Sequence, residues 1–160
     1  LEGSRCLSIV LPLHRRARRD NRRVPESAID VVLRLGELFN RALDQGEDDL
    51  DDLRALFHDE PVIVPIRAAL EGTEYTGSQA VDEFIAASRE SWSRIRIEPT
   101  QARSLDPERV LVVGDLIGTG RETGAETQAH VAWLFVVRDG KIAEARTFTS
   151  EDGALMAAER

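Results

Sequence analysis

Residues 109–150 constrain this chain more than any other stretch. They hold three runs rich in Val, Leu, Ile and aromatic residues, at 109–121, 127–137 and 142–149, separated by short glycine-bearing turns. Runs of this kind read as strands. The last two flank Arg138-Asp139-Gly140-Lys141. Asp-Gly between β-branched runs is among the strongest local hairpin signals, because a tight turn there demands residues that tolerate positive φ. A three-stranded antiparallel meander follows. Such a meander has an apolar face to bury, so the remaining chain must supply its cover.

The upstream chain reads as that cover. Ser27 with Asp30 three residues on forms an acidic capping box. Behind it Ile29, Val32, Leu33, Gly36, Phe39 and Leu43 recur at helical spacing until Gly46 stops the helix. A short second helix starts among Glu47, Asp48 and Asp49, acids suited to its positive end, and buries Leu50, Leu53 and Leu56 or Phe57. Pro61-Val62-Ile63-Val64-Pro65-Ile66 reads as an edge strand closed by prolines. Gly77-Ser78 caps a third helix with Val81, Phe84, Ile85, Ser88 and Trp92 along one side. A strand from about Ile95 to Ser104 leads into the meander, and residues 151–159 suit a last short helix. Helices gathered on one side of an antiparallel sheet make an α+β domain. The expected fold is a curved antiparallel sheet wrapped around three helices of the N-terminal half, as one domain over residues 25–160.

Charge is divided unevenly. Residues 1–23 carry seven arginines against Glu2 and Asp20, while the whole chain of 160 residues has a net charge of −8. The body is therefore acidic, which argues against nucleic acid as partner of the folded part. Residues 1–24 read as a basic leader, disordered, not native or an extended start, with a basic arm for nucleic acid or anionic lipid as the alternative. The lone Cys6 excludes an internal disulfide and four-cysteine metal sites. His14, His58 and His130 are scattered, and the six acids between Asp44 and Asp52 lack the spacing of a calcium loop, so no metal or cofactor is expected. No apolar run reaches the roughly 20 residues a membrane helix needs, and a cytoplasmic location is the expectation.

With these segments in order, the chain resembles the SnoaL-like branch of the nuclear transport factor 2-like superfamily. The resemblance lies in Ala42-Leu43-Asp44-Gln45-Gly46, Leu56-Phe57-His58-Asp59, Gly72-Thr73-Glu74-Tyr75-Thr76-Gly77, Ile95-Arg96-Ile97-Glu98-Pro99 and Val137-Arg138-Asp139-Gly140-Lys141-Ile142. It implies a cone-shaped α+β barrel, open at one end, with a small-molecule pocket between sheet and helices and, usually, a homodimer.

The turns allow a register to be estimated. If Thr123-Gly124 is a two-residue turn, Asp115 faces Ala132. If Arg138-Asp139-Gly140 is a three-residue loop, Ala132 faces Arg146. One face then carries Val110, Val112, Gly114, Leu116, Val131, Trp133, Phe135, Val137, Ala143, Ala145 and Thr147. It should be concave, against the helices. The other carries Asp115, Ile117, Thr119, Gln128, His130, Ala132, Leu134, Glu144, Arg146 and Phe148, and should face water or a second subunit. There Asp115 and Arg146 flank Ala132, with His130 diagonal to Asp115. These three read as a surface or interface ion pair rather than as catalytic groups.

The family's known reactions fit poorly. A ketosteroid isomerase needs a carboxylate base and two hydrogen-bond donors. Counted through Phe57-His58-Asp59-Glu60, the base position falls on Pro65; aligned on the first helix with Gly46 and on Gly140, the donor positions fall on Phe39 and Trp133, of which only Trp133 offers even a weak donor. The Arg-x-Asp pair and last-strand acid of limonene-epoxide hydrolase are missing too, Thr147 standing at the latter position. The leading expectation is a pocket for a small apolar or aromatic molecule, walled by Phe39, Phe84, Trp92, Trp133 and Phe135 with Thr147. An isomerase or polyketide cyclase acting on a hydrophobic carbonyl substrate is the alternative, with His58, Asp59 or Tyr75 at the mouth beside Arg67, Glu71 and Glu74. A dimerising module built on the convex face is a third.

Overall fold

A computed structural model describes residues 8–10, 27–66 and 72–159. In chain order the elements are β1 (Ser8–Val10), α1 (Ala28–Leu43), α2 (Asp51–Ala55), β2 (Phe57–Val64), β3 (Tyr75–Thr76), α3 (Ala80–Ser91), β4 (Trp92–Ser104), β5 (Arg109–Gly120), β6 (Glu126–Arg138), β7 (Lys141–Phe148) and α4 (Glu151–Ala158). Among the described residues the strands form one curved, unclosed sheet in the order β1-β4-β5-β6-β7-β2-β3. The fold is α+β. Apart from β1, which pairs with Gln101, Ala102 and Arg103, the basic leader lies outside the described residues.

The capping box forms. Ser27 Oγ accepts the Asp30 backbone N–H (3.2 Å), and the Asp30 carboxylate receives the Ser27 N–H (3.4 Å). The face of α1 behind it buries Ile29, Val32, Leu35 and Leu43 against the sheet. Each such side chain contributes about 1.5–3 kcal/mol by leaving water. Asn40 fixes the angle of α1: its Nδ2 donates to the Ile97 carbonyl (3.0 Å) and its Oδ1 accepts the Ile97 N–H (2.8 Å). The side-chain amide thus acts as a one-residue strand partner for β4 beyond the end of β1.

The second helix is shorter than the acids and leucines suggest. After Ala55 the chain is drawn into the sheet, since the Leu56 carbonyl accepts the Ile142 N–H (2.7 Å) and Phe57 pairs with Ile142. β2 therefore begins at Phe57 and not at Pro61. It runs parallel to β7, the one parallel pairing among the described residues, and β3 lies on its other side at Val62 and Ile63. His58 consequently sits on a strand, where a helix end was expected.

Both hairpins of the meander differ in register from the estimate. The β5–β6 connection is a four-residue loop closed by Gly120 N–H to the Ala125 carbonyl (3.0 Å). Arg121 holds it there: its backbone N–H reaches the Ser91 carbonyl and its guanidinium the carbonyls of Arg89 and Trp92. Gly114 therefore faces Val131 and Asp115 faces His130. At the second hairpin Asp139 (φ 53°) and Gly140 (φ 74°) form a two-residue turn with both φ positive. The ladder then skips Ala143, a β-bulge that turns Ile142 inward beside Val137 and places Trp133 opposite Thr147. Ile142, 0% exposed, takes the inward place expected of Ala143. A further bulge at Thr100 bends β4 over Gly114, where a Cβ would lie 2.4 Å from the Glu98 carbonyl oxygen. Bulges of this kind curve the sheet around the helices.

On the convex side, α4 seats Ala154 and Leu155 over Leu111, Val113 and Ala132. Ser150 Oγ caps it through the Gly153 N–H (3.0 Å), and Arg103 pairs with Glu151 (2.9 Å). At its far end Arg109 donates to the Ala158 carbonyl while also holding Asp106. Burial works to raise the Asp106 carboxyl pKa. The Arg109 guanidinium and the backbone N–H groups of Glu108 and Arg109 outweigh it and keep the pKa below the usual carboxylate value.

Candidate functional site

The concave side of the sheet encloses a cavity of about 200 Å³ between α1, α3 and strands β2 to β7. Its walls are mostly rings. Phe39 of α1 and Phe84 of α3 stack with centroids 5.9 Å apart and planes at 24°. Tyr75 of β3 meets Phe84 edge-on, also at 5.9 Å, with planes at 62°. Trp92, Trp133 and Phe135 close the sheet side, and Leu35, Phe57, Ile63, Ile95, Ile97 and Leu116 fill the corners. The aromatic pairs add roughly 0.5–1.5 kcal/mol each beyond area burial and hold the rings in defined orientations.

Gly118 sets the position of Trp92. A Cβ built at residue 118 would stand 2.7 Å from Trp92 Cε3, so the indole lies flat on bare backbone. No other residue type fits this close approach without displacing the ring.

Apart from the two tryptophans with their indole N–H groups, the lining residues with polar side-chain atoms carry hydroxyls: Thr73, Tyr75, Ser88, Ser91 and Thr147. Ser88 spends its proton on the Phe84 carbonyl (2.8 Å) and can only accept from a ligand. Among the described lining residues none bears a carboxylate, an imidazole or a cation, and the Tyr75 phenol is the sole titratable group. The geometry can hold a flat apolar body and offer it a few neutral hydrogen bonds.

Phe39, Phe84, Trp92, Trp133, Phe135 and Thr147 all line this cavity, as does Tyr75. His58 and Asp59 do not. His58 donates from Nε2 to the Arg138 carbonyl (2.8 Å), tying β2 to the β6–β7 turn, and Asp59 is exposed on the same strand. Arg67 and Glu71 lie outside the described residues. Glu74 stands 4.0 Å from Arg146.

The expected Asp115–Arg146 pair across Ala132 does not form. Asp115 faces His130 directly, with Oδ1 and Nδ1 3.1 Å apart, and Arg146 binds Glu144 (3.4 Å). The longer first loop moved one ladder by two residues, and the shorter second turn together with its bulge moved the other by two, which separated Asp115 from Arg146. All three stay on the convex face and outside the cavity. Sequence reasoning passed over Leu35, Ile95 and Ile97 as lining residues. Leu35 lies one turn before Phe39, and Ile95 and Ile97 alternate inward along β4, so the spacing held the signal.

The sequence profile of the SnoaL-like domain matches residues 37–145, more than half of the chain. The chain belongs to the SnoaL-like domain family. Solved structures of the nuclear transport factor 2-like superfamily share the fold of this SnoaL-like domain. A nuclear transport factor 2-like protein from Burkholderia pseudomallei K96243 is 17% identical with a TM-score of 0.64, over 81% of this chain and 95% of that one. TerC, co-crystallized with polyporic acid, is 18% identical with a TM-score of 0.63, over 83% and 98%. SalBIII, an epoxide hydrolase/cyclase-like enzyme of pyran ring formation in salinomycin, is 18% identical with a TM-score of 0.62, over 78% and 92%. No curated protein matches the sequence. Among the described residues no helix is long and apolar enough to cross a membrane, and no cluster of His, Cys, Asp or Glu could hold a metal ion.

Proposed function

We propose that this SnoaL-like domain binds a small, flat, apolar or aromatic molecule in the cone. The observation that carries it is the ring-walled cavity itself. Phe39, Tyr75, Phe84, Trp92, Trp133 and Phe135 surround space that the core does not fill, with hydroxyls as the polar points. Small-molecule sites are built this way, mostly apolar with a few placed polar groups. A thermal-shift and native-mass screen against steroids, terpenoids and aromatic polyketides tests it. A true ligand at 100 times its Kd should stabilise the fold by about 2.7 kcal/mol. Ala87→Phe, which fills the cavity from α3, should abolish that response. A screen with no response in the wild type, or a response unchanged in Ala87→Phe, would overturn the proposal.

A second reading, an isomerase or cyclase acting on a hydrophobic carbonyl substrate, draws on Tyr75. Tyr75 lines the cavity, and its phenol has no hydrogen-bond partner among the described residues. In an enzyme using that proton, Tyr75→Phe should lose turnover while keeping ligand affinity. Loss of affinity with turnover intact would show a packing role instead.

A further inference from the structure

We infer that the cavity seats a tertiary ammonium ion carried on an apolar or aromatic body, with Ser88 taking its single N–H and Trp92 lending a ring face to its charge. This rests on the cavity being a ligand site. Ser88 lines the cavity and donates its hydroxyl proton to the Phe84 carbonyl one turn earlier (2.8 Å). Its oxygen keeps two lone pairs and has no hydrogen left to give, so it can only accept. A ligand that meets this oxygen needs an N–H or O–H of its own. Ethers, ketones and carboxylates would set lone pairs against lone pairs there.

Trp92 stands one turn beyond Ser88, and its backbone N–H closes α3 on the Ser88 carbonyl. One face of its benzene ring is covered by Gly118, whose Cβ would stand 2.7 Å from Cε3 and 2.8 Å from Cζ3. The opposite face is the one a ligand in the cavity can meet. Ring faces carry the negative side of the aromatic quadrupole, and tryptophan attracts cations most strongly. Among the described lining residues no Lys, Arg or His repels a cation, and the chain as a whole carries a net charge of −8. Such a field draws cations toward the mouth and turns anions away.

No carboxylate stands among the described lining residues either, so the cation must be one that gives up little hydration on entry. A tertiary ammonium meets that demand. Its three carbon substituents spread the charge over C–H surface that packs on rings, and one N–H remains for one acceptor oxygen. A primary ammonium would bring three N–H groups into a space walled mostly by hydrocarbon. A neutral phenol would satisfy Ser88 but bring no charge to the face of Trp92.

Calorimetry with probes of one shape tests it: N,N-dimethylphenethylamine in its protonated form, the corresponding quaternary trimethyl ion, and isopentylbenzene, in which carbon replaces nitrogen. Both ions should bind the wild type. Ser88→Ala keeps the helix, since alanine is the better helix former. It should cost the tertiary ion about tenfold or more and leave the quaternary ion, which has no N–H, unchanged. Fluorinated tryptophans drain negative charge from the ring face at nearly constant size. In Trp133→Phe, where Trp92 alone carries the label, graded fluorination should weaken both ions by about twofold to thirtyfold and spare isopentylbenzene. Should that variant fail to fold, labelling both tryptophans of the wild type still reads the ring contribution, since both line the cavity. A tertiary ion indifferent to Ser88→Ala, or ions indifferent to fluorination, would overturn the ammonium seat. Isopentylbenzene bound with neither ion bound overturns it too and leaves the pocket standing. Silence from every probe, together with a silent ligand screen, overturns the pocket and the seat with it.

Discussion

Asp115 and Leu116 are neighbours on β5 and face opposite sides of one sheet. Leu116 borders a ring-lined cavity, and Asp115 meets His130, whose side chain is 66% exposed. The two faces also differ in how they bury apolar surface. On the concave side, helices α1 and α3 cover the strands but stand off from them, leaving space among Phe39, Phe84 and Trp133. On the convex side, α4 lies directly on Leu111, Val113 and Ala132. Beyond the reach of α4 the convex face turns polar, with Arg96 paired to Glu98 (2.9 Å) and Asp115 to His130. An apolar strand face shows that something covers it. Whether the cover seals or vaults over it depends on the size and tilt of the covering element.

Four substitutions probe that contrast. Ala132→Arg should have the largest effect, because Ala132 is 0% exposed beneath α4. A guanidinium there must be buried unpaired or must expel the helix, and a loss of about 3 kcal/mol or more in urea unfolding is expected. Wild-type stability in that variant would mean that α4 is no true seat.

Gly118→Ala should come next. Its new Cβ must push Trp92 off the backbone and into the cavity, costing about 1–3 kcal/mol as overpacking does. Ligand binding should weaken at the same time, since Trp92 would fill the space. A stable variant with unaltered binding would show that the concave side yields more readily than its close contacts suggest. Smallest of all, His130→Ala and Asp115→Asn should each change stability by less than about 1 kcal/mol, as exposed pairs do. A larger loss would reveal a structural role for the polar half of the convex face.

Much of the fold was legible because strands and caps are local. Ser27 and Asp30 reach across one turn, and Asp139-Gly140 needs only its own positive φ angles. The partition into two faces was legible for β5 and β6, and for β7 beyond its bulge, although both ladders were placed two residues out of register there; before the bulge Ile142 took the inward place expected of Ala143. A slip of two leaves every side chain on its own face, because the side-chain period of a strand is also two. What such a slip changes is who meets whom. Asp115 met His130 and not Arg146, and Thr147 came opposite Trp133. The site shows the same division: ring residues could be assigned to the concave side, while the pairing of Trp133 with Thr147 could not be foreseen.

His58 shows where local signals run out. Its neighbours Leu53 and Leu56 continue a helical pattern, yet the chain leaves the helix because Phe57 and the Leu56 carbonyl find Ile142 on a strand distant in sequence. No window around residue 58 contains that partner. The first hairpin was lengthened in the same way, by Arg121 reaching the carbonyls that end α3.

By itself, then, the sequence determined the three strands of the meander, the apolar face of β5 and β6, the cap that begins α1, and that no charged group accompanies the rings inward. Periodicity and capping act over a few residues and are written there. Only the tertiary structure decided the register of the ladders, the parallel seat of β2, the resting of Trp92 on Gly118, and the empty space between rings and sheet. Each of these depends on backbone groups far apart in the chain coming within about 3 Å of one another, and no local pattern encodes that distance.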